Sequence, residues 1–235
     1  MTKVKAVGIS EIFSSLQGEG THLGERHLFV RFENCNIHCE YCDELGKLGA
    51  PTEIEEAVRQ IWELDASEGP HSYISFTGGE PLLYTDFIQK LTEFLQPSKF
   101  KFYLETNGIL WKQLAQVIQK MDVIAMDLKP ASVTKDKRFV TEHREFLQIA
   151  SQREVFTKIV ISKEIDVDEF VELCEVVSGV NDKIPLILQP ISTSAGEGHD
   201  DFQLMSLLDQ LQRIGSGILR NVKIVPRLHR ILNIR

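Results

Sequence analysis

No window of this 235-residue chain approaches the ~20 consecutive apolar residues that a bilayer-spanning helix needs. Its first ten residues lack a long apolar core and a small-residue cleavage site, so a cytoplasmic location without a membrane partner is expected. A basic excess is missing too: 26 Lys and Arg stand against 34 Asp and Glu, a formal net charge of -8. That balance argues against nucleic-acid binding by general phosphate neutralisation and favours a small-molecule substrate. Cysteine is scarce, with four residues, three of them within eight positions, which suits metal ligation in a reducing compartment and not a disulfide framework. Glycine (15) and proline (8) are too few for a low-complexity chain, and 43% hydrophobic with 26% charged residues is ordinary for a globular one. A chain of this length can bury a full core, and a single domain over residues 1–235 is expected.

The clustered thiols lie in Cys35-Asn36-Ile37-His38-Cys39-Glu40-Tyr41-Cys42, directly after a strand-like run. What this loop lacks is a fourth thiol. Most iron-sulfur clusters take four cysteine thiolates, so three around one cluster leave an iron open for a ligand that takes part in chemistry. A zinc site completed by His38 is the alternative that spacing leaves open. Cys174 falls with Val167, Phe170, Val171 and Val177 on one helical stripe and is expected to be a small buried apolar side chain.

Along the chain, an extended segment over 4–13 leads into a turn-rich loop, Ser14-Ser15-Leu16-Gln17-Gly18-Glu19-Gly20. Residues 27–33 read as a strand with Phe29, Arg31 and Glu33 on one face, and Arg31 sharing that face with Cys35 is expected to anchor an anion. Thr52-Glu53-Ile54-Glu55 has capping-box form before a helix with Ile54, Ala57, Val58, Ile61 and Trp62 at helical spacing. Strands then recur at 73–76, 100–104, 123–126, 155–161, 184–188 and 222–225. Amphipathic helices carrying Phe87, Leu91, Phe94 and Leu95, or Leu204, Leu207, Leu208 and Leu211, fall between them. Residues 131–143 are polar and irregular and read as a loop or lid, and Asp166 reads as a helix cap. Alternating strands and helices imply βαβ units and a parallel sheet. About six such units predict an α/β fold, an incomplete (β/α) barrel, with the polar motifs gathered at the C-terminal strand edge where sites are built.

The cysteine spacing followed by Thr77-Gly78-Gly79-Glu80-Pro81 resembles the radical S-adenosylmethionine (SAM) enzymes. Within them the chain resembles 7-carboxy-7-deazaguanine synthases. That resemblance rests on Glu11-Ile12-Phe13, Leu16-Gln17-Gly18-Glu19-Gly20, Arg31-Phe32, Cys39-Glu40-Tyr41-Cys42-Asp43, Thr77-Gly78-Gly79-Glu80-Pro81-Leu82, Glu105-Thr106-Asn107-Gly108 and the block around His229. It implies a barrel of the radical SAM type and a lyase that turns 6-carboxy-5,6,7,8-tetrahydropterin into 7-carboxy-7-deazaguanine with loss of ammonia, for queuosine or another 7-deazapurine. It further implies a 4Fe-4S cluster on Cys35, Cys39 and Cys42, SAM held by Gly79, by Asp127, Leu128 and Lys129, and by Gln189, Pro190, Ile191 and Ser192, and Mg2+. Leu16, Gln17, Gly18, Arg31, Thr77 and the terminal carboxylate of Arg235 would contact the pterin. A homodimer and an electron donor such as flavodoxin or ferredoxin complete the implied set.

Two positions depart from the family pattern. Glu44 stands where a Thr or Ser hydroxyl usually helps bind magnesium, so an altered metal site with Glu44 as ligand is expected. Leu228 stands where a small polar residue usually precedes His229. Two other functions share part of the pattern: an activase acting on a glycyl-radical partner, and a non-catalytic iron-sulfur or zinc module. The activase has no need for Leu16-Gln17-Gly18-Glu19-Gly20 or a pterin-sized anionic pocket, and a visible spectrum after anaerobic reconstitution separates zinc from iron in the module.

Overall fold

The computed structural model describes residues 5–42, 44, 46–96, 99–193, 196–197 and 201–232. Its strands are β1 (Val7–Leu16), β2 (Arg26–Phe32), β3 (Ala50–Thr52), β4 (Tyr73–Gly78), β5 (Lys101–Thr106), β6 (Val123–Leu128), β7 (Glu154–Ile161), β8 (Leu186–Pro190), β9 (Ser192–Thr193), β10 (Gly196–Glu197) and β11 (Val222–Ile224). The helices are α1 (Ile54–Glu68), α2 (Thr85–Leu95), α3 (Trp111–Val117), α4 (Ala131–Thr134), α5 (Val140–Ala150), α6 (Val167–Asn181), α7 (Phe202–Ser216) and α8 (Leu228–Ile231). Nine strands form one sheet in the order β11-β8-β7-β6-β5-β4-β2-β1-β3. Within this sheet the pairings from β2 through β4, β5, β6, β7 and β8 to β11 are parallel, β1 pairs antiparallel with β2 and β3, and β9 and β10 form a separate antiparallel pair. Among the described residues β11 and β3 are the sheet edges, so the barrel is open.

Period-2 alternation divides the strands between two environments. Leu28, Val30 and Phe32 of β2, with Ile74, Phe76, Leu104, Ile124, Met126 and Leu128 beyond, are fully or almost fully buried under the helices. The opposite face carries Phe13, Phe29, Tyr103 and Phe156 into the barrel interior. Each large apolar side chain taken from water contributes about 1.5–3 kcal/mol, so this outer layer is what holds the strand edge rigid beneath the loops. Cys174 is fully buried in the same core, beside Phe170, Leu173 and Val177.

Four local expectations are corrected. The strand β1 runs on to Leu16, because Ser14, Ser15 and Leu16 pair with Leu28, His27 and Arg26; only the segment after Leu16 is loop. Thr52 does not cap α1: its hydroxyl donates to Ala50 O (3.0 Å) within β3, and Glu53 is the N-cap. In α2, Phe94 is half exposed and Ile88 and Thr92 fill the buried face instead. Residues 131–143 are not simply a loop, since α4 lies within them and α5 starts at Val140. The buried face of α5 is His143, Phe146, Leu147 and Ala150, and a polar residue at the first core position hides the helical period. Asp166 caps α6 as expected, its side chain accepting from Glu169 N at 2.9 Å.

Candidate active site

The loops after β1, β2, β4, β5 and β6 surround a cavity of about 1000 Å³ at the C-terminal strand edge. Its rim is the cysteine loop. Asn34 turns the chain out of β2 with a left-handed φ of 58°, and the β4 loop then packs on it, Gly79 N donating to Phe32 O (3.0 Å) and Glu80 N to Asn34 O (2.8 Å). A Cβ on Gly79 would sit 1.7 Å from Asn34 O, so glycine here is what lets the two loops meet. On the other side, Glu40 N donates to Thr134 O (3.3 Å) and His38 N to Asp136 Oδ2 (3.4 Å), so the segment following β6 props the loop.

Cys35 and Cys42 are exposed and Cys39 is buried, and all three line the cavity. Burial pushes the Cys35 thiol up and that of Cys39 to about 11, so a free thiolate is disfavoured there and metal ligation is what would offset the charge. Among the described residues the three thiols, with or without His38, do not converge within 4.8 Å of one another. One zinc with Zn–S bonds near ~2.3 Å draws its sulfurs closer than that, whereas a cluster takes each thiolate on a different iron. Asn107 steadies this rim, its Nδ2 donating to Asn36 Oδ1 at 2.8 Å and approaching Cys35 Sγ at 3.6 Å. Glu80 holds Asn107 in turn, accepting from its N (2.8 Å), from Thr106 Oγ1 (2.9 Å) and from Leu82 N (3.0 Å). Burial nonetheless raises the Glu80 carboxyl to about 7.

The interior wall is a chain of charges. Glu105 Oε1 accepts from Gln17 Nε2 (2.8 Å) and Oε2 from Thr77 Oγ1 (2.6 Å), and desolvation, with Glu19 nearby, raises its pKa. Glu19 bonds Lys158, lies 3.1 Å from Arg227 Nε and accepts from Gln189 Nε2 at 3.2 Å. Burial alone would raise Glu19, but Lys158 and Arg227 bring it down to about 2. Asp127 Oδ2 lies 2.8 Å from Lys129 Nζ and 3.5 Å from Lys158 Nζ, and its Oδ1 is buried with no hydrogen-bond partner among the described residues. Burial opposes the charge of both lysines, yet the surrounding anions, Asp127 for Lys129 and Glu19 with Asp127 for Lys158, hold both pKa values above the usual.

At the outer side, Arg31 lies over the Phe13 ring at 4.9 Å, and Phe13 stacks on Phe29. Its Nη1 is 3.1 Å from Glu44 Oε1 and 3.7 Å from Glu11 Oε2. The Glu33 carboxylate turns away and accepts from Gly49 N (2.8 Å).

The cavity wall therefore gathers Leu16, Gln17, Gly18, Arg31, Thr77, Gly79, Glu44, Asp127, Lys129 and the three cysteines. It does not gather the rest of the expected SAM set. Leu128 is fully buried in the core, Pro190 ends β8 buried, Ile191 packs on the core, Ser192 starts β9, and Gln189 reaches the site only through Glu19. Asp43 and Arg235 lie outside the described residues. Residues 227–230 fold over the mouth: Leu228 N donates to Gly18 O (2.9 Å), and Arg227, His229 and Arg230 line the cavity. Sequence reading gave no role to Glu19, Glu80, Glu105, Asn107, Lys158 or Arg227. The first four stood in quoted motifs, but Lys158 and Arg227 carry no local signal.

A parallel open barrel with three thiols and a glycine-tight loop at its mouth belongs to one class, and the radical SAM superfamily model matches residues 29–182. The chain is a radical SAM enzyme with a 4Fe-4S cluster and SAM as its cofactors. It is 36% identical to the 7-carboxy-7-deazaguanine synthase of Geobacter sulfurreducens, over 95% of this chain and 96% of that protein. It is 31% identical to the synthase of Methanothermobacter thermautotrophicus, over 97% of each. The crystal structure of QueE from Escherichia coli shares the fold, with a TM-score of 0.62 at 19% identity, covering 95% of this chain and 94% of that one. The chain belongs to the 7-carboxy-7-deazaguanine synthase family of lyases. Among the described residues no helix is long and apolar enough to cross a membrane.

Proposed function

We propose that the chain converts 6-carboxy-5,6,7,8-tetrahydropterin to 7-carboxy-7-deazaguanine and ammonia, as one domain in the cytoplasm. The observation that carries this is the joining of Gln17, from the loop after β1, to Thr77 through Glu105, in the same cavity that the three cysteines line. A glycyl-radical activase or an electron-transfer module has no use for that closed polar wall. Cys35, Cys39 and Cys42 hold the cluster by this reading. When bound, the cluster and SAM supply a 5'-deoxyadenosyl radical for hydrogen abstraction at C6 of the pterin.

The residues of the chain hold and orient. Gly79 lets the β4 main chain lie against the cysteine loop, where it would receive the methionine amino group of SAM. Asp127 offers its unpartnered Oδ1 as an acceptor, and Lys129 and Lys158 set a positive potential for a carboxylate. Arg31 takes the carboxylate of the substrate, Thr77 contacts the pterin, and main-chain groups of Leu16, Gln17 and Gly18 line its edge. The Arg235 carboxylate closes over the pterin amino edge with two charge-assisted hydrogen bonds. Magnesium would draw on Glu44, whose Oε1 is committed to Arg31 and to Lys47 Nζ (2.8 Å), so loading requires that a cation give way. A flavodoxin- or ferredoxin-like protein as electron donor, and a homodimer, belong to the same reading.

Anaerobic incubation of the reconstituted protein with SAM, reductant and carboxytetrahydropterin tests it. The expected result is a deazaguanine product by mass spectrometry; 5'-deoxyadenosine without that product overturns the substrate assignment.

A further inference from the structure

The opposite end of the barrel holds a second donor set that the reaction does not use. His22 closes the short turn that begins at Gly20, Glu25 directly follows Gly24, and His27 is the second residue of β2, buried in the interior. His22 Nδ1, Glu25 Oε2 and His27 Nε2 come within 4.8 Å of one another, with His22 Nδ1 at 3.2 Å and His27 Nε2 at 3.9 Å from the Glu25 oxygen. Two ligands on a tetrahedral zinc, with bonds of about 2.0–2.2 Å, stand roughly 3.3 Å apart. The observed separations straddle that value, and the half-exposed Glu25 side chain can close the rest.

The far sides of both rings are already fixed. His22 Nε2 lies 3.0 Å from Glu154 Oε1, and in the tautomer in which Nε2 donates to that oxygen, Nδ1 presents its lone pair toward Glu25. His27 Nδ1 is bonded to Ser75 Oγ at 2.7 Å, leaving Nε2 buried. Neither His22 Nδ1 nor His27 Nε2 has a hydrogen bond among the described residues. A cation meets all three atoms at once, in the carboxylate–histidine–metal order in which an outer partner sets ring tautomer and direction. Tyr73 stacks on His27 (4.7 Å), and Tyr73 and Tyr103 meet His22 edge-on (5.3 and 5.5 Å), so neither ring can turn away.

We propose that His22, Glu25 and His27 bind one divalent transition-metal cation of the zinc class at the floor of the barrel, in a structural role. The same turn pairs Gly24 N with Gln17 O (2.8 Å) and Gln17 N with Glu25 O (2.7 Å), so the cation clamps the loop that begins at Gln17. Imidazole and carboxylate donors favour zinc, cobalt or nickel over magnesium or calcium.

The test uses the protein with its 4Fe-4S cluster assembled, so that the cysteines are occupied. It is stripped with a mild chelator, titrated anaerobically with Zn2+ and desalted, and metals are counted by mass spectrometry. Wild type is expected to retain one zinc per chain beyond the cluster iron and to gain thermal stability on saturation. Glu25→Ala and His22→Gln are expected to bind at least tenfold more weakly and to lose that gain, with SAM cleavage in Glu25→Ala unchanged. Cobalt in place of zinc should show d–d bands without sulfur-to-cobalt charge transfer. No retained zinc, equal retention in Glu25→Ala, or charge-transfer bands from cysteine-bound cobalt overturns the proposal.

Discussion

Arg31 Nη1 lies 3.1 Å from Glu44 Oε1, and Lys47 Nζ reaches the same oxygen at 2.8 Å. The residue meant to anchor a substrate carboxylate is thus already neutralised by the one that replaces the usual hydroxyl. On the proposed function, binding exchanges one carboxylate for another at Arg31. Glu44→Thr is expected to lower the apparent KM for the pterin by ~3- to 10-fold, about the worth of a partly exposed ion pair. It is also expected to change which cation restores activity after chelation, read by returning Mg2+ and Mn2+ in turn. An unchanged KM shows that the pair opens without cost, and turnover in the fully chelated enzyme shows that no such metal takes part.

Replacing any one of Cys35, Cys39 and Cys42 with Ala is expected to abolish cluster absorbance and activity. Cys174→Ala removes only a buried apolar group and is expected to cost ~1 kcal/mol of stability with the iron content intact. Iron loss in that variant contradicts the three-ligand assignment.

Glu19 bears the charge of Lys158 and Arg227 inside the barrel. Glu19→Gln removes the anion that pairs with both cations and is expected to destabilise the fold by on the order of 2–4 kcal/mol at neutral pH. The carboxyl has its pKa lowered from the ordinary 4.5 to about 2, so its contribution is full above about pH 4.5 and fades as pH falls toward 2. Urea unfolding of wild type and variant should therefore show a gap that is wide at pH 7 and shrinks below pH 4.5. A gap independent of pH assigns the loss to packing.

Gly18 and His229 meet so closely that a Cβ on Gly18 would lie 2.1 Å from His229 Nδ1. Gly18→Ala is expected to push α8 off the cavity, raising the KM for the pterin at least tenfold while reductive SAM cleavage persists. Appending residues after Arg235 tests the terminal carboxylate separately, with the same split expected. Wild-type KM in both variants removes the tail from the site.

The parallel sheet was legible because near-continuous apolar strands such as 123–126 and 155–161 alternate with helices of clear period. So was the cysteine rim, whose chemistry lies in one local spacing. The helix α5 was not, because His143 occupies a core position that pattern reading scores as polar. Thr52 had the form of a cap, yet the pairing of β3 with β1 claimed its backbone for a strand. Gly79 was expected to admit a ligand, and the structure gives it a prior task, the approach of one loop to another. Lys158 and Arg227 meet Glu19 only because β7 and the tail after β11 close on one interior. Such convergence is a property of topology and leaves no mark in either neighbourhood.

The most direct test counts products against SAM in one anaerobic incubation with carboxytetrahydropterin and reductant. The account predicts 7-carboxy-7-deazaguanine and ammonia in equal amounts, with the deazaguanine absent when either SAM or the reductant is left out. SAM consumed one-for-one to 5'-deoxyadenosine, with no deazaguanine, would contradict it.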